Sequence, residues 1–240
     1  MDTAADDSVE RVQADVAGCF RCPRLVSWRE ASAANPPARF RGQEYWGRPV
    51  PGFGDPDARL LIVGLAPAAH GGNRTGRVFT GDRSGDWLVR ALHRAGFANQ
   101  PTSVHRSDGL QLKDCYIAAS VRCVPPDNKP LPEEKRNCLP YLVREMRALP
   151  RLRAIVTLGS IAWDATLPAL AGTGIAIPTP KPRFGHGVKV EIGALNLIGC
   201  YHPSPQNTNT GRLSEQALDQ IFLDAADLIS RLETQERQRR

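Results

Sequence analysis

Two groups of residues have the types and spacing that chemistry requires, and the larger group lies in one long loop. This loop runs from Gly64 to Asp82 and reads GLAPAAHGGNRTGRVFTGD, with five glycines and one aromatic residue. It follows an apolar run at 60–63 and precedes a helical pattern, an arrangement that lets backbone amides approach a ligand. A loop of this length in a compact domain is usually functional or disordered. We therefore predict a binding loop, the alternative being an ordinary surface connection with turn glycines.

The second group consists of four cysteines. Cys19 and Cys22 form a C-x2-C pair, and Cys123 and Cys138 lie far downstream. Thiolates from two distant segments can hold zinc or an iron–sulfur cluster. The spacing favours these two about equally, and unliganded thiols are a third alternative. With either metal, we expect a structural site that pins the N-terminal segment 1–58 to the core.

Four apolar runs predict the strands that must position these groups: residues 60–65, 114–120, 154–158 and 195–200. Helical patterns lie within 1–18, at 84–95, after Pro132 in two pieces because Pro140 should break the helix near Cys138, after Gly159, and from Ser214 onward. Segment 23–58 is expected to have little regular structure, and 171–191 to form a hairpin or an excursion. The two remaining cysteines fall inside predicted strands and should be buried: Cys115 and Cys200.

Strands that alternate with helices predict one α/β domain over residues 1–240. The expected architecture is a three-layer α/β/α sandwich around a central, mainly parallel four-stranded sheet. In such sheets ligands bind outside the carboxyl ends of the strands. Polar loops follow three of the predicted strands, and they read GLAPA…FTGD, VRCVPPDNK and HPSPQNTNTGR. Because the carboxyl ends of parallel strands share one edge, these loops should meet in a single site.

Composition narrows the class of protein. The chain has 240 residues, 41% of them hydrophobic, and a net charge of +6, which permits a polyanionic partner such as nucleic acid. No stretch is long and apolar enough to span a bilayer. The acidic N-terminus lacks the pattern of a signal peptide. We therefore expect a protein of a reducing cytoplasm.

The three loop motifs and the four cysteines together resemble the type B (family 5) uracil-DNA glycosylases, and the resemblance runs from Cys19 to Gly211. It implies the uracil-DNA glycosylase fold and a 4Fe–4S cluster on Cys19, Cys22, Cys123 and Cys138. It also implies that the protein flips a damaged base out of duplex DNA, or alternatively single-stranded DNA, and hydrolyses the N-glycosidic bond. The product would be an abasic site for base excision repair. The resemblance further implies a monomeric protein of the bacterial or archaeal cytoplasm, associated with the nucleoid.

The resemblance also implies roles for individual residues. Breaking the glycosidic bond creates an oxocarbenium-like sugar and an anionic leaving base. Asp82 is the candidate that stabilises the cation and positions water, and His202 is the candidate donor to the leaving base. On pattern alone, Asp82 is equally explained as a helix cap and His202 as a strand-end histidine.

Other residues are candidates for binding the base and the DNA. Phe79 would stack on the base, and the backbone at Leu65 and Ala66, with the Asn128 side chain, would read its edge. The bland interpretation of Asn128 is a turn former, and that of Phe79 is a packing residue. The candidates for contacts with the rest of the DNA are Arg74, Arg77, Ser204, Gln206, Asn207 and Arg212.

Gln206 stands where the classical enzymes carry an apolar wedge, so the candidates to fill the gap in the base stack are Gln206, Asn207 and Arg212. Two departures from family 4 enzymes predict a broad substrate range. Leu65 stands where those enzymes carry a catalytic Glu, and Ala119 stands where they carry an Asn that reads uracil. A pocket with fewer side-chain readers discriminates less, so we expect hypoxanthine, xanthine, and mispaired or oxidised pyrimidines to be substrates besides uracil. The alternative function is a non-catalytic iron–sulfur or zinc nucleic-acid-binding module.

Overall fold

A six-stranded mixed sheet forms the centre of the molecule, which the computed structural model describes from residue 7 to residue 238. The strands are β1 (Phe53–Gly54), β2 (Leu60–Gly64), β3 (Cys115–Ala119), β4 (Ala154–Leu158), β5 (Lys189–Ile192) and β6 (Leu195–Cys200). Their order across the sheet is β1-β3-β2-β4-β6-β5. The four predicted strands form its parallel centre.

The sheet has six strands and not the predicted four, because the prediction missed the two edge strands. Strand β1 pairs antiparallel with β3, and β5 pairs antiparallel with β6. Both are short, and the side chains of β5 are mostly exposed or half-buried. Neither edge strand therefore carries the apolar run that marks a buried strand in a sequence.

Helices cover both faces of the sheet. They are α1 (Val9–Ala17), α2 (Pro23–Ala34), α3 (Gly72–Thr75), α4 (Arg83–Arg94), α5 (Pro132–Ala148), α6 (Ser160–Gly172), α7 (Pro205–Asn209) and α8 (Glu215–Gln238). Alternate residues of each central strand face opposite layers, as the pleat requires. Ile62 packs with α4 and α8 on one face, and Val63 packs with α5 and α6 on the other. The α/β/α sandwich is thereby confirmed.

Two expectations about helices were wrong. Helix α5 continues through Pro140, because its inner side chains, including Tyr141 and Leu142, are buried and the helix packs along α1 and α6. Segment 23–58 contains the three-turn helix α2, which starts with Pro23 in its first turn. That helix buries only Leu25 and Arg29, so it leaves no apolar stripe in the sequence.

The N-terminal segment is attached to the body by ordinary side-chain contacts. Val12 and Val16 of α1 pack on Tyr141 of α5. Arg144 of α5 forms ion pairs with Asp7 and Asp15 at 2.7 and 2.6 Å. The additional attachment through a metal site stays a prediction. In the described part of the chain, no helix has the length and apolar character needed to cross a membrane.

The long connection between α4 and β3 reaches the Gly64–Asp82 loop, and we call it the arm. Residues 98–112 form this arm, which closes at its base through a bridge between Ala98 and Leu112. At its tip, the carbonyl of Ser103 accepts a hydrogen bond from the Gly81 N–H at 2.8 Å. The arm therefore supports the binding loop just before Asp82.

Candidate active site

The three polar loops meet at the carboxyl edge of the parallel strands, as expected. There they surround a cleft of about 890 Å³. Side chains or backbone from all three loops line it, and they include Leu65, Ala66, Phe79, Asp82, Asn128, His202, Ser204 and Gln206. The structure thus brings together eight of the candidate residues that lie far apart in the sequence.

Asp82 is held in one orientation at the start of α4. Its Oδ1 accepts a hydrogen bond from the Gly85 N–H at 2.9 Å, so the side chain does cap the helix. Its other oxygen lies against Gly71, where an added Cβ would come within 1.9 Å of Oδ2. Burial raises the pKa of this carboxyl above its usual 3.8, partly offset by the hydrogen bond from Gly85. Capping and catalysis are therefore compatible, because capping occupies one oxygen.

Phe79 is placed by two glycines that leave room for it. Its backbone has a φ of +48°, an unusual conformation for a bulky residue. Its ring lies over β2, where a Cβ on Gly64 would approach it to 2.7 Å, and its carbonyl lies where a Cβ on Gly85 would approach to 2.2 Å. The ring centroid is 5.9 Å from that of His202, with the planes tilted by 35°. The two rings thus form adjoining walls of the cleft.

His202 is a neutral imidazole at physiological pH. It follows β6, and burial lowers its pKa from 6.5 to about 4. A neutral imidazole still offers one N–H donor. The carbonyl of His202 accepts a hydrogen bond from Asn207 Nδ2 at 2.8 Å. Asn207 thereby holds the backbone of the catalytic histidine candidate, and its predicted contact with DNA stays a prediction.

Backbone donors form the floor of the cleft. The Leu65 carbonyl already accepts hydrogen bonds from Ser120 Oγ at 2.8 Å and the Val121 N–H at 2.9 Å. By contrast, the N–H groups of Leu65 and Ala66 donate to no group among residues 7–238. Ala119 is buried beside them and offers no polar side chain. The floor therefore offers amide donors and no side-chain reader.

Asn128 lies at the rim of the cleft, exposed to solvent. It and the preceding Asp127 both have positive φ values, 56° and 53°. Asparagine and aspartate tolerate this conformation better than other non-glycine residues. Asn128 can therefore both form this turn and lie at the cleft mouth.

Arg77 was wrongly predicted to contact phosphate. It is only 5% exposed, and its guanidinium pairs with Asp108 of the arm at 2.8 Å and bonds Ser103 and Thr80. Arg74 is half-buried and spends three donors on the protein, at the His70 carbonyl, the Gly81 carbonyl and Gln43. Arg74 thus joins carbonyls within the loop, and Arg77 joins the loop to the arm.

Two exposed arginines line the cleft, and neither was predicted to contact DNA: Arg39 and Arg83. The position of Arg83 directly after Asp82 is a signal that pointed to it, whereas nothing in segment 23–58 singled out Arg39. Arg212, which was predicted, is exposed and lies 4.4 Å above the Tyr201 ring. Ser204 caps α7 without using its side chain, which leaves its hydroxyl available.

The four predicted metal ligands come from three elements on one side of the cleft. Cys22, Cys123 and Cys138 share a small cluster with Leu25, and Cys19 packs next to it beside Tyr141. Within residues 7–238, no three His, Cys, Asp or Glu side chains are close enough to enclose a single metal ion. The metal site on the four cysteines therefore stays a prediction.

Arg29 provides a test of whether these cysteines suit an anionic group. Its side chain is fully buried, and its Nη1 donates to Cys123 Sγ at 3.2 Å. Its Nε and Nη2 have no partner among the described residues, and the exposed Glu30 carboxylate comes no nearer than 4.0 Å. A buried cation without a compensating group is costly. The donor set therefore fits a bound group that carries negative charge.

Similarity to known proteins shows the family of this chain. Residues 51–226 match the model of the Uracil DNA glycosylase superfamily. The chain therefore belongs to the uracil-DNA glycosylase superfamily, and it is a DNA glycosylase.

Relatives refine this assignment. A type-5 uracil-DNA glycosylase of Mycobacterium tuberculosis is 54% identical over 223 residues, which are 92% of this chain and 82% of that one. A type-5 enzyme of Thermus thermophilus is 47% identical over 211 residues, 88% and 93% of the two chains. A type-4 enzyme of Archaeoglobus fulgidus is 36% identical over 162 residues, 65% and 70% of the two. Of these three relatives, the two that cover about nine-tenths of this chain are type-5 enzymes.

Proposed function

We propose that this protein removes uracil from DNA by hydrolysis and leaves an abasic site for base excision repair. The observation that carries the proposal is the convergence of Asp82, Phe79 and the neutral His202 in one cleft. The carboxylate and the imidazole come from loops after different strands, β2 and β6. A non-catalytic nucleic-acid-binding module would not need this convergence.

The chain's own groups account for each requirement of the reaction. A base within a duplex is out of reach, so the nucleotide must flip into the cleft. There Phe79 stacks on the base, and the free N–H groups of Leu65 and Ala66 donate to its carbonyl oxygens. These contacts orient the sugar toward the free carboxylate oxygen of Asp82.

The chemical step then follows from charge. As the bond between C1′ and the base breaks, its electron pair leaves with the base, and the sugar becomes cationic. Ionised Asp82 stabilises that cation and orients a water, whose oxygen forms the new bond to C1′. The proton released by that water ends on the departing base. The N–H of neutral His202 stabilises the developing anion on the base without itself transferring a proton.

The cleft supports a proposed range of bases wider than uracil. Its floor lacks a side-chain reader at Leu65 and Ala119, so a wrong base leaves few buried polar groups unpaired. Hypoxanthine, xanthine, and mispaired or oxidised pyrimidines are the further substrates that we propose. Asn128 and Gln206 are two exposed polar residues that line the cleft.

We also propose a structural 4Fe–4S cluster held by Cys19, Cys22, Cys123 and Cys138. The unpartnered guanidinium of Arg29 beside Cys123 supports it. When bound, the cluster would fasten α2 and the start of α5 to the loop after β3. Stoichiometric iron and acid-labile sulfide in purified protein are expected, and colourless protein with tightly held zinc would overturn the assignment.

The catalytic proposal is tested with oligonucleotides that contain one deoxyuridine, as duplex and as single strand. Metal-replete protein should generate alkali-labile abasic sites without cutting the strand itself. Asp82→Asn should lower the single-turnover rate by at least about 100-fold and leave DNA binding within about threefold. Asp86→Asn is the matched control, because this exposed carboxylate lies on the same helix at the same cleft.

Two results would overturn the proposal. Metal-replete protein that binds DNA but releases no uracil would favour the binding module. Equal losses of binding and turnover in Asp82→Asn would remove Asp82 from the chemical step. Release rates for hypoxanthine, xanthine and mismatched thymine, measured alongside uracil, test the proposed range.

A further inference from the structure

Part of the cleft lining is not used by the chemistry proposed above: Trp28, Arg39, Phe40 and His70. We call the part of the lining at Asp82 and His202 the catalytic end. Pockets of about 300–1,000 Å³ suit drug-sized ligands, and a single base is much smaller. With a volume of about 890 Å³, the cleft has room for one flipped base and for a second group beside it.

Three of these lining residues carry aromatic rings, and together we call them the aromatic platform: Trp28, Phe40 and His70. The rings of Phe40 and His70 have centroids 5.9 Å apart. The Tyr45 hydroxyl hydrogen-bonds His70 Nδ1 at 2.9 Å and fixes that ring. Trp28 is 42% exposed, which is unusual for so large an apolar side chain. The platform therefore places three aromatic rings at the cleft.

Positive charge adjoins the platform and links it to the catalytic end. The guanidiniums of Arg39 and Arg74 lie 4.7 and 4.3 Å from the Phe40 ring centroid. Arg74 also donates to the carbonyl of Gly81, the residue before Asp82, at 3.0 Å. Because one guanidinium touches both, Phe40 lies close enough to the catalytic end for adjacent nucleotides to occupy both places. Because Arg39 is exposed, its guanidinium can move off the Phe40 ring to meet a phosphate, which uncovers the ring for a base.

We propose that the aromatic platform is a second nucleotide subsite, which stacks the base next to the flipped one while Arg39 binds its phosphate. This inference rests on the proposed function of the cleft. Aromatic faces interleaved with arginine are typical of surfaces that bind single-stranded nucleic acid without reading its sequence. In an intact duplex the neighbouring base stays stacked on its own strand. The subsite is therefore used when two adjacent nucleotides leave the stack, as in single-stranded or locally melted DNA.

The test is a double-mutant cycle between protein and DNA. The protein variants are Phe40→Ala and Trp28→Ala. Each is measured with single strands that contain one deoxyuridine. In these strands the neighbouring nucleotide, on the 5′ or the 3′ side, either keeps its base or is replaced by a baseless tetrahydrofuran. Stacking is worth about 1–3 kcal/mol per base. Each variant should therefore raise Kd and KM by about 5- to 150-fold on the strand with both bases, and the rate at saturating enzyme should be retained. Phe40→Tyr should restore binding, and Leu223→Ala, an exposed apolar residue on α8, is the control.

The expected outcome is that removing the base on one side makes wild type and Phe40→Ala bind alike. Arg39→Ala should weaken binding on both strands and should reduce its salt dependence. If both variants bind less tightly by the same factor whether or not either neighbouring base is present, the platform does not stack a base and the inference is wrong. A catalytically inactive wild type would refute the proposed function, whereas the binding cycle, measured with a non-hydrolysable deoxyuridine analogue, would still decide the subsite.

Discussion

Replacing Gly71 with alanine should displace the Asp82 carboxylate without altering its chemistry. The added Cβ would lie 1.9 Å from Asp82 Oδ2 and 2.8 Å from its Cγ, whereas real Cβ contacts below 3.0 Å are essentially never seen. The carboxylate must therefore move by about 1 Å. It cannot do so freely, because its Oδ1 is bonded to the Gly85 N–H at 2.9 Å.

The size of the effect follows from this geometry. A misplacement of about 1 Å in a catalytic group costs about 100-fold in rate, which corresponds to about 2.7 kcal/mol of activation free energy. Loss of the cap adds at least about 1 kcal/mol of destabilisation. We therefore expect the single-turnover rate of uracil release by Gly71→Ala to fall about 100-fold, with DNA affinity within about threefold of wild type.

The assay is single-turnover abasic-site formation with enzyme in excess, together with urea unfolding to confirm that the variant is folded at the assay temperature. Gly18→Ala is the matched control, because a Cβ there would come no closer than 3.7 Å to any other group. A folded Gly71→Ala variant with a rate within twofold of wild type would refute the assignment of Asp82 as a catalytic carboxylate.

Three further outcomes follow from the described contacts. The single-turnover rate should fall as pH decreases through the pKa of Asp82, which burial raises, because only the ionised carboxylate stabilises a cationic sugar; a limb near pH 6.5 that vanishes in His202→Asn would contradict this, since burial lowers the pKa of His202. Arg77→Met should lower the free energy of unfolding in urea by about 1–3 kcal/mol, since it removes the donor to the buried Thr80 and Ser103 hydroxyls and the ion pair with Asp108, whereas the exposed Arg83→Met should change it by less than about 0.5 kcal/mol; equal effects would show that the buried Arg77 guanidinium adds no stability. Arg29→Met should make the reduction potential of a bound cluster more negative in voltammetry, because a nearby positive charge favours the reduced form; an unchanged potential and iron content would separate Arg29 from the metal site.

Much of the framework could be predicted from the sequence because its signals are local. Apolar runs such as Leu60–Val63 mark buried parallel strands wherever they occur in a chain. Alternation with helices then requires that the following loops share one edge of the sheet, which brought Asp82 and His202 into one predicted site. The helix cap at Asp82 was likewise visible, because capping depends on residues only three positions apart.

The tertiary structure alone decided which polar side chains are free. Arg77 and Asn207 look like DNA contacts in the sequence, yet one pairs with Asp108 on a distant arm and the other holds the His202 backbone. The aromatic platform was equally invisible, since Trp28 and Phe40 come from a segment without an apolar pattern. Pairing and exposure depend on partners far away in the chain, so local spacing carries no record of them.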